Sequence, residues 1–308
     1  MKTARVYFVI FAAVVGFVLS AVSLAQTSGN QAQNQRTESP VKPTILIRDP
    51  NNSNVASTAP SSSVAFADAA AKNVVFRDQL AWTFGGKQQH GWYLYDLLLR
   101  ETLRTQSTTA TSDFAAALST WQDARGLGSN GILDENSFMA IVSYWQGNRL
   151  KDRTPATAEQ LVTAPSSEFY DPERDAELRQ VERTTYDAYK RMLAAAIADP
   201  TLKLDRDGDQ LAPTEQFFKI ISAHRSREYQ EKLRRESPNA GSAGLAVNSP
   251  HFTGRALDIY VGGDPVDTRD SNRAIQVNTP VYQWLVRNAE RFGFRPYFYE
   301  PWHWEYVK

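Results

Sequence analysis

The sequence predicts a mixed fold, with helices grouped in one region and strands and helices together in another. Three observations carry that prediction. Phe114, Leu118 and Trp121 recur at steps of four and three, the spacing of one helix face. From Gly254 the chain alternates as a strand does, with Ala256, Asp258 and Tyr260 on one side and Leu257, Ile259 and Val261 on the other. Near the C-terminus, Trp302, Trp304 and Tyr306 alternate in the same way with His303 and Glu305. The 308 residues are 42% hydrophobic, and at the usual 100–200 residues each they make about two domains.

Taken in order, the chain opens on Lys2 and Arg5, followed by an apolar run over residues 6–19. Ser23 and Ala25 stand at the −3 and −1 positions of a cut before Gln26, so residues 1–25 read as an export signal. The uncharged stretch over 6–25 also reaches the length of a bilayer span, about 20 residues. An uncleaved membrane anchor is therefore the alternative, and either way the cations on its N-terminal side send the rest of the chain out. Residues 26–75 are rich in Ser, Thr, Asn, Gln, Pro and Ala and poor in aromatics until Phe76. Such a stretch buries too little apolar surface to offset its ordering entropy and is expected to be a disordered linker.

Residues 76–150 read as a small three-helix module. Trp92, Tyr95, Leu97, Leu98 and Leu99 begin it, and Ser112-Asp113 caps a second helix that Gly126-Leu127-Gly128 stops. Asn130-Gly131 makes a turn, and Asp134 caps a third helix with Phe138, Ile141 and Val142 inward. Residues 151–172 are polar and contain proline, as a linker does. Beyond them, residues 173–198 are expected to form a long helix, with Tyr189, Met192 and Leu193 on its apolar side. Asp205, Asp207 and Asp209 have the look of a calcium loop. Gly208, however, falls at the fourth position rather than the sixth, and Gln216 takes the place of the bidentate glutamate, so a polar turn is expected. Residues 217–222 read as a strand, and 282–292 as a helix ended by Gly293.

Lys+Arg and Asp+Glu both number 34, so there is no global field to hold nucleic acid, and no nucleic-acid partner is expected. Cysteine is absent, which excludes disulfides, thiolate metal sites and cysteine nucleophiles. Any metal must then be held by His, Asp or Glu. The histidines are His90, His224, His251 and His303.

Two of these sit beside carboxylates. Asp258 lies mid-strand, where burial without a partner is costly. His251 precedes it by seven residues, with Gly254 between them to let the chain bend back. In the terminal stretch Glu300 precedes Pro301 and is biased toward extended geometry, which places it at the mouth of the strand bearing His303. His251, Asp258 and His303 fit the zinc pattern of three protein ligands plus a water. Glu300 beside that water can act as a general base. Glu305, on the His303 side of the strand, is a candidate partner for that imidazole.

Ser249-x-His251-x-x-Gly254-x-Ala256-x-Asp258 and Glu300-Pro301-Trp302-His303 resemble the signatures of the zinc D-alanyl-D-alanine carboxypeptidases of VanY type, within the LAS metallopeptidases. The resemblance spans residues 173–308. It implies an α+β fold with a small antiparallel sheet carrying the metal, flanked by helices, with one zinc ion on His251, Asp258 and His303 and Glu300 as general base. The family's Tyr-Arg-Ser-Tyr element followed by Gln reads here His224-Arg225-Ser226-Arg227 with Gln230. By resemblance Arg225 stabilises the scissile carbonyl or the substrate carboxylate, a task suited to a guanidinium, Gln230 contacts substrate, and Ser249 hydrogen-bonds substrate or the backbone near His251. His224 is expected to be a polar wall residue, and Trp302 and Trp304 to pack. Trp121-Gln122, Gly126-Leu127, Gly131 and Asp134 further resemble the peptidoglycan-binding domain of exported wall enzymes, with a bare three-helix spacer as the alternative.

Together these imply an exported, monomeric, periplasmic or wall-associated peptidase that trims the terminal D-alanine of peptidoglycan stem peptides. An L,D-carboxypeptidase, a peptidoglycan endopeptidase and a catalytically inactive wall-binding protein are the alternatives. The loop over residues 234–248 is expected to decide between the first three.

Overall fold

The computed structural model describes residues 65–236 and 248–308. The expected export signal, the expected linker up to residue 64 and the loop residues 237–247 lie outside the described residues. Among the described residues no helix is long and apolar enough to cross a membrane.

The N-terminal unit begins earlier than its composition suggests. A helix runs over Ala67–Gln79, and its first nine residues lie in the stretch expected to be linker. Its inward face is small, with Ala69, Ala70 and Asn73 buried, so no large apolar stripe betrays it. Asn73 anchors it: its amide donates to Gly131 O at 2.9 Å and accepts from Leu133 N at 2.7 Å. A hairpin follows, β1 (Ala81–Phe84) with β2 (Lys87–His90). Its turn is Gly85-Gly86, both at positive φ, as a two-residue hairpin loop requires.

Helices Asp96–Leu103, Ser112–Asp123 and Glu135–Gly147 complete the unit. The second is capped one residue earlier than expected, by Thr111, which accepts from Phe114 N. Asp134 caps the third by accepting from Ser137 N at 2.8 Å. Gln122 explains the Trp-Gln pair of the sequence. Its buried amide donates to Ser137 Oγ and Ile132 O and accepts from Gly131 N, tying the glycine turn to both helices. Gly131 is obligatory there: its φ is +70°, and a Cβ would lie 2.5 Å from Ala115 O.

The C-terminal unit also starts earlier than predicted. Of the expected linker 151–172, residues Leu161–Thr163 form β3, which pairs antiparallel with β4 (Gln180–Glu182). Phe169 is buried and bridges to Ile220. The helix expected from residue 173 begins ten residues later and spans Arg183–Ile197, because Glu182 caps it, accepting from Thr184 N and Thr185 N. The aspartate-rich stretch is a small hairpin, β5 (Arg206–Asp207) with β6 (Gln210–Leu211), turning at Gly208.

The main sheet is antiparallel with strand order β7-β8-β10-β9. It comprises β7 (Ile220–Ser222), β8 (Ala256–Ile259), β9 (Phe294–Pro296) and β10 (His303–Tyr306). Leu257, Ile259 and Trp304 bury the apolar face in a core shared with Tyr189 and Met192 of helix Arg183–Ile197 and Leu285 of helix Pro280–Asn288. Each such side chain contributes about 1.5–3 kcal/mol. Trp302 and Trp304 belong to this core, in the packing role the sequence predicts. The opposite face carries Asp258, His303 and Glu305. The fold is α+β, helices flanking small antiparallel sheets. The two cores meet at Tyr297, Phe298 and Tyr299, which follow β9 yet pack into the N-terminal core.

Candidate metal centre

Strand register builds the centre. In the β8/β10 pair Asp258 lies directly opposite His303, and Ala256 opposite Glu305. Facing residues of an antiparallel pair share a sheet face, so the aspartate and the imidazole meet while the small Ala256 leaves room for Glu305. His251 arrives from the turn Pro250–Thr253. That turn closes on Gly254 at φ +65°, where a Cβ would lie 2.8 Å from Glu182 N. The tight glycine folds His251 back over β8.

One ligand atom from each of His251, Asp258 and His303 lies within 4.8 Å of the others, and all three residues are buried. His251 Nε2 is 3.4 Å from Asp258 Oδ2, and His303 Nδ1 is 2.9 Å from Asp258 Oδ1. The far nitrogen of each ring is spoken for. His251 Nδ1 faces Ala223 O at 2.6 Å, and His303 Nε2 faces Glu305 Oε1 at 3.3 Å. Both acceptors call for an N–H there, so with a metal bound His251 Nε2 and His303 Nδ1 would be the nitrogens free to ligate it beside Asp258.

This donor set fits zinc. With bonds of about 2.0 Å, neighbouring ligands of a tetrahedral ion stand roughly 3.3 Å apart. Each imidazole lies at about that distance from one oxygen of Asp258, and the three donors lie within 4.8 Å of one another. Burial alone would raise the Asp258 carboxyl, yet His251 and His303 hold it well below the ordinary carboxylate range. Burial, seconded by Arg225, lowers His251 to about 4, so it is neutral at pH 7. Burial opposes a charge on His303 too, but hydrogen bonds to Asp258 and Glu305 raise it to about 9. Its carboxylate surroundings thus favour a positive charge.

Glu300 occupies the turn before β10, its Oε2 4.0 Å from His303 Nδ1. Burial first, then Asp258, pushes its carboxyl up to about 7. Arg225 is buried beside Asp258, donating from Nη2 to Oδ2 at 3.1 Å and from Nε to Ser222 Oγ at 3.1 Å. Gln230 is buried, and neither its amide nitrogen nor its oxygen has a partner among the described residues. The Ser249 hydroxyl accepts from His251 N at 3.3 Å, so it caps the turn that bears the histidine. His224 is half-buried and stands outside the metal group. Two groups have no signature in the sequence: Ala223, whose carbonyl faces His251 Nδ1, and Arg149, which donates to Glu305.

Residues 179–308 match the family model described as "VanY: D-alanyl-D-alanine carboxypeptidase". Over this part of its length the chain matches the VanY family. The match contains His251, Asp258, His303, Glu300, Arg225, Gln230 and Ser249. The chain is also similar to a solved structure of the LdcB LD-carboxypeptidase, described as revealing the molecular basis of peptidoglycan recognition. Identity is 22%, coverage 51% of this chain and 71% of that one, and the TM-score 0.33. No curated protein matches the chain. The VanY match begins just before β4, whereas the structured C-terminal unit already includes β3.

Proposed function

We propose that the chain is an exported zinc carboxypeptidase that removes the C-terminal D-alanine from peptidoglycan stem peptides. The observation that carries this reading is the convergence of His251, Asp258 and His303 with a buried carboxyl, Glu300, at the same spot within the stretch that matches VanY. A zinc ion on that triad would polarise the scissile carbonyl and lower the pKa of its bound water toward 7. Glu300, with a pKa of about 7, takes the proton from the attacking water and delivers it to the leaving amine nitrogen. A carboxyl poised near the working pH does both steps with little thermodynamic cost.

Arg225 stays charged beside Asp258 and offers a planar fork to the carbonyl or terminal carboxylate of the peptide. The unspent hydrogen-bonding capacity of Gln230 supports its role as a substrate contact, since a buried amide without partners is costly unless a ligand fills it. Ser249 serves the site through the His251 backbone. Within this reading residues 1–25 export the protein, anchored or released, and the N-terminal unit contacts the wall polymer.

Digestion of defined muropeptides with mass spectrometry of the products tests the reading. Loss of one alanine mass from pentapeptides is expected. Untouched pentapeptides, with trimmed tetrapeptides or opened cross-links instead, would replace it with the L,D-carboxypeptidase or endopeptidase reading.

A further inference from the structure

The carboxylate that orients His303 is held from the other half of the molecule. Glu305 is fully buried, and its Oε1 accepts from Arg149 Nη2 at 2.6 Å, Arg149 Nε at 3.2 Å and Arg153 Nη1 at 3.3 Å, besides facing His303 Nε2. Its Oε2 accepts from Leu150 N at 2.9 Å. Arg149 follows the last helix of the N-terminal unit, Glu135–Gly147. That guanidinium is itself fixed on two sides, donating from Nη1 to Gln146 Oε1 at 3.1 Å and lying 3.9 Å over the Tyr297 ring. Trp145 on the same helix packs against Phe298, two residues before Glu300.

We propose that Arg149 is a positioning residue of the metal centre: from the end of the N-terminal unit it locks Glu305, and through Glu305 it sets the ring of His303 so that Nδ1 faces Asp258. The inference rests on the reading of His251, Asp258 and His303 as metal ligands. It adds that the N-terminal unit builds the site as well as any wall contact it makes. An arginine suits the task because one rigid guanidinium delivers two donors to the same oxygen. Lysine keeps the charge but delivers a single mobile point of contact. Without the fork the carboxylate keeps Leu150 N on Oε2 and Arg153 on Oε1 but loses both bonds from Arg149, and the imidazole faces a less firmly held partner. Changes to groups that orient a metal-bound histidine weaken metal binding by about 10–100-fold.

The test uses the full chain as wild type, R149M and R149K. Folding is followed by circular dichroism, zinc affinity by competition with a chromophoric chelator, and ligand geometry by the visible spectrum of the cobalt(II) form. R149M is expected to bind zinc about 10–100-fold more weakly than wild type, with an altered cobalt spectrum. R149K is expected to fall between the two, and it carries the comparison if R149M does not fold. Wild-type zinc affinity and an unchanged cobalt spectrum in a folded R149M or R149K would overturn the proposal. Wild type that binds no metal would overturn it together with the metal reading. Wild type that binds zinc but leaves muropeptides uncut would remove the proposed reaction and leave this inference to be decided by the variants.

Discussion

Replacing Phe298 with alanine removes the ring that joins the two cores. Phe298 is buried, with ring centroids 4.9 Å from Phe84, 5.4 Å from Tyr95 and 5.7 Å from Trp145, all in the N-terminal unit. Truncating a buried phenylalanine costs about 3–5 kcal/mol through lost transfer energy and the cavity left behind. Total stability is only about 5–15 kcal/mol, so the loss is a large share of it. At about 2–4 °C per kcal/mol for a chain of this size, Tm should fall by roughly 6–20 °C. Calorimetry gives the shift, and guanidinium unfolding followed by tryptophan fluorescence gives the free energy. Turnover should fall as well, since Glu300 lies two residues on and takes its position from this segment. A loss below about 1 kcal/mol would refute the reasoning, because it would mean that Phe298 does not pack into the N-terminal core.

Further outcomes follow from single side chains. Glu300→Gln should keep the metal, measured by elemental analysis, while turnover drops by about 10²–10⁴-fold, the usual worth of a general base. Asp134→Ala should cost about 1 kcal/mol of stability in chemical denaturation, the value of a helix N-cap. Gly131→Ala should cost more, since the added Cβ meets Ala115 O at 2.5 Å from a positive-φ backbone. At Glu182, burial favours the neutral acid, but hydrogen bonds from Thr184 and Thr185 win and hold the carboxyl below its ordinary value. The folded state therefore binds its proton less readily than the unfolded one. The resulting stability is present above the ordinary carboxylate range and lost as pH falls through the lowered value. The Tm gap between wild type and Glu182→Gln should accordingly narrow from neutral pH down to about pH 3.

How much was legible in the sequence depended on whether the signal was local. The helix bearing Phe114, Leu118 and Trp121 shows its stripe because large side chains mark the buried face. The helix over Ala67–Gln79 hides, because alanines and one asparagine make its contact and Val74 and Val75 point outward. The Gly85-Gly86 hairpin left a readable signal, a glycine pair between Trp82, Phe84 and polar residues, which the helical reading of the region passed over. Residues 173–182 look helical by composition, yet the cap at Glu182 and pairing with β3 claim part of them for a strand. At the centre, spacing is enough to group His251 with Asp258, because a short glycine-bearing turn joins them. Cross-strand register brings in His303, and strand alternation places Glu305 on its side. Nothing near Arg149 reveals its partner, because Glu305 lies 156 residues away and only the docking of the two units brings them together.

On the proposed reading His251, Asp258 and His303 grip one divalent ion. Elemental analysis of the purified chain, dialysed against zinc and then against metal-free buffer, tests it most directly. One zinc per chain in the wild type, and little in His303→Ala, is the predicted result. Wild type that retains none, or a His303→Ala variant that retains a full equivalent, would contradict it.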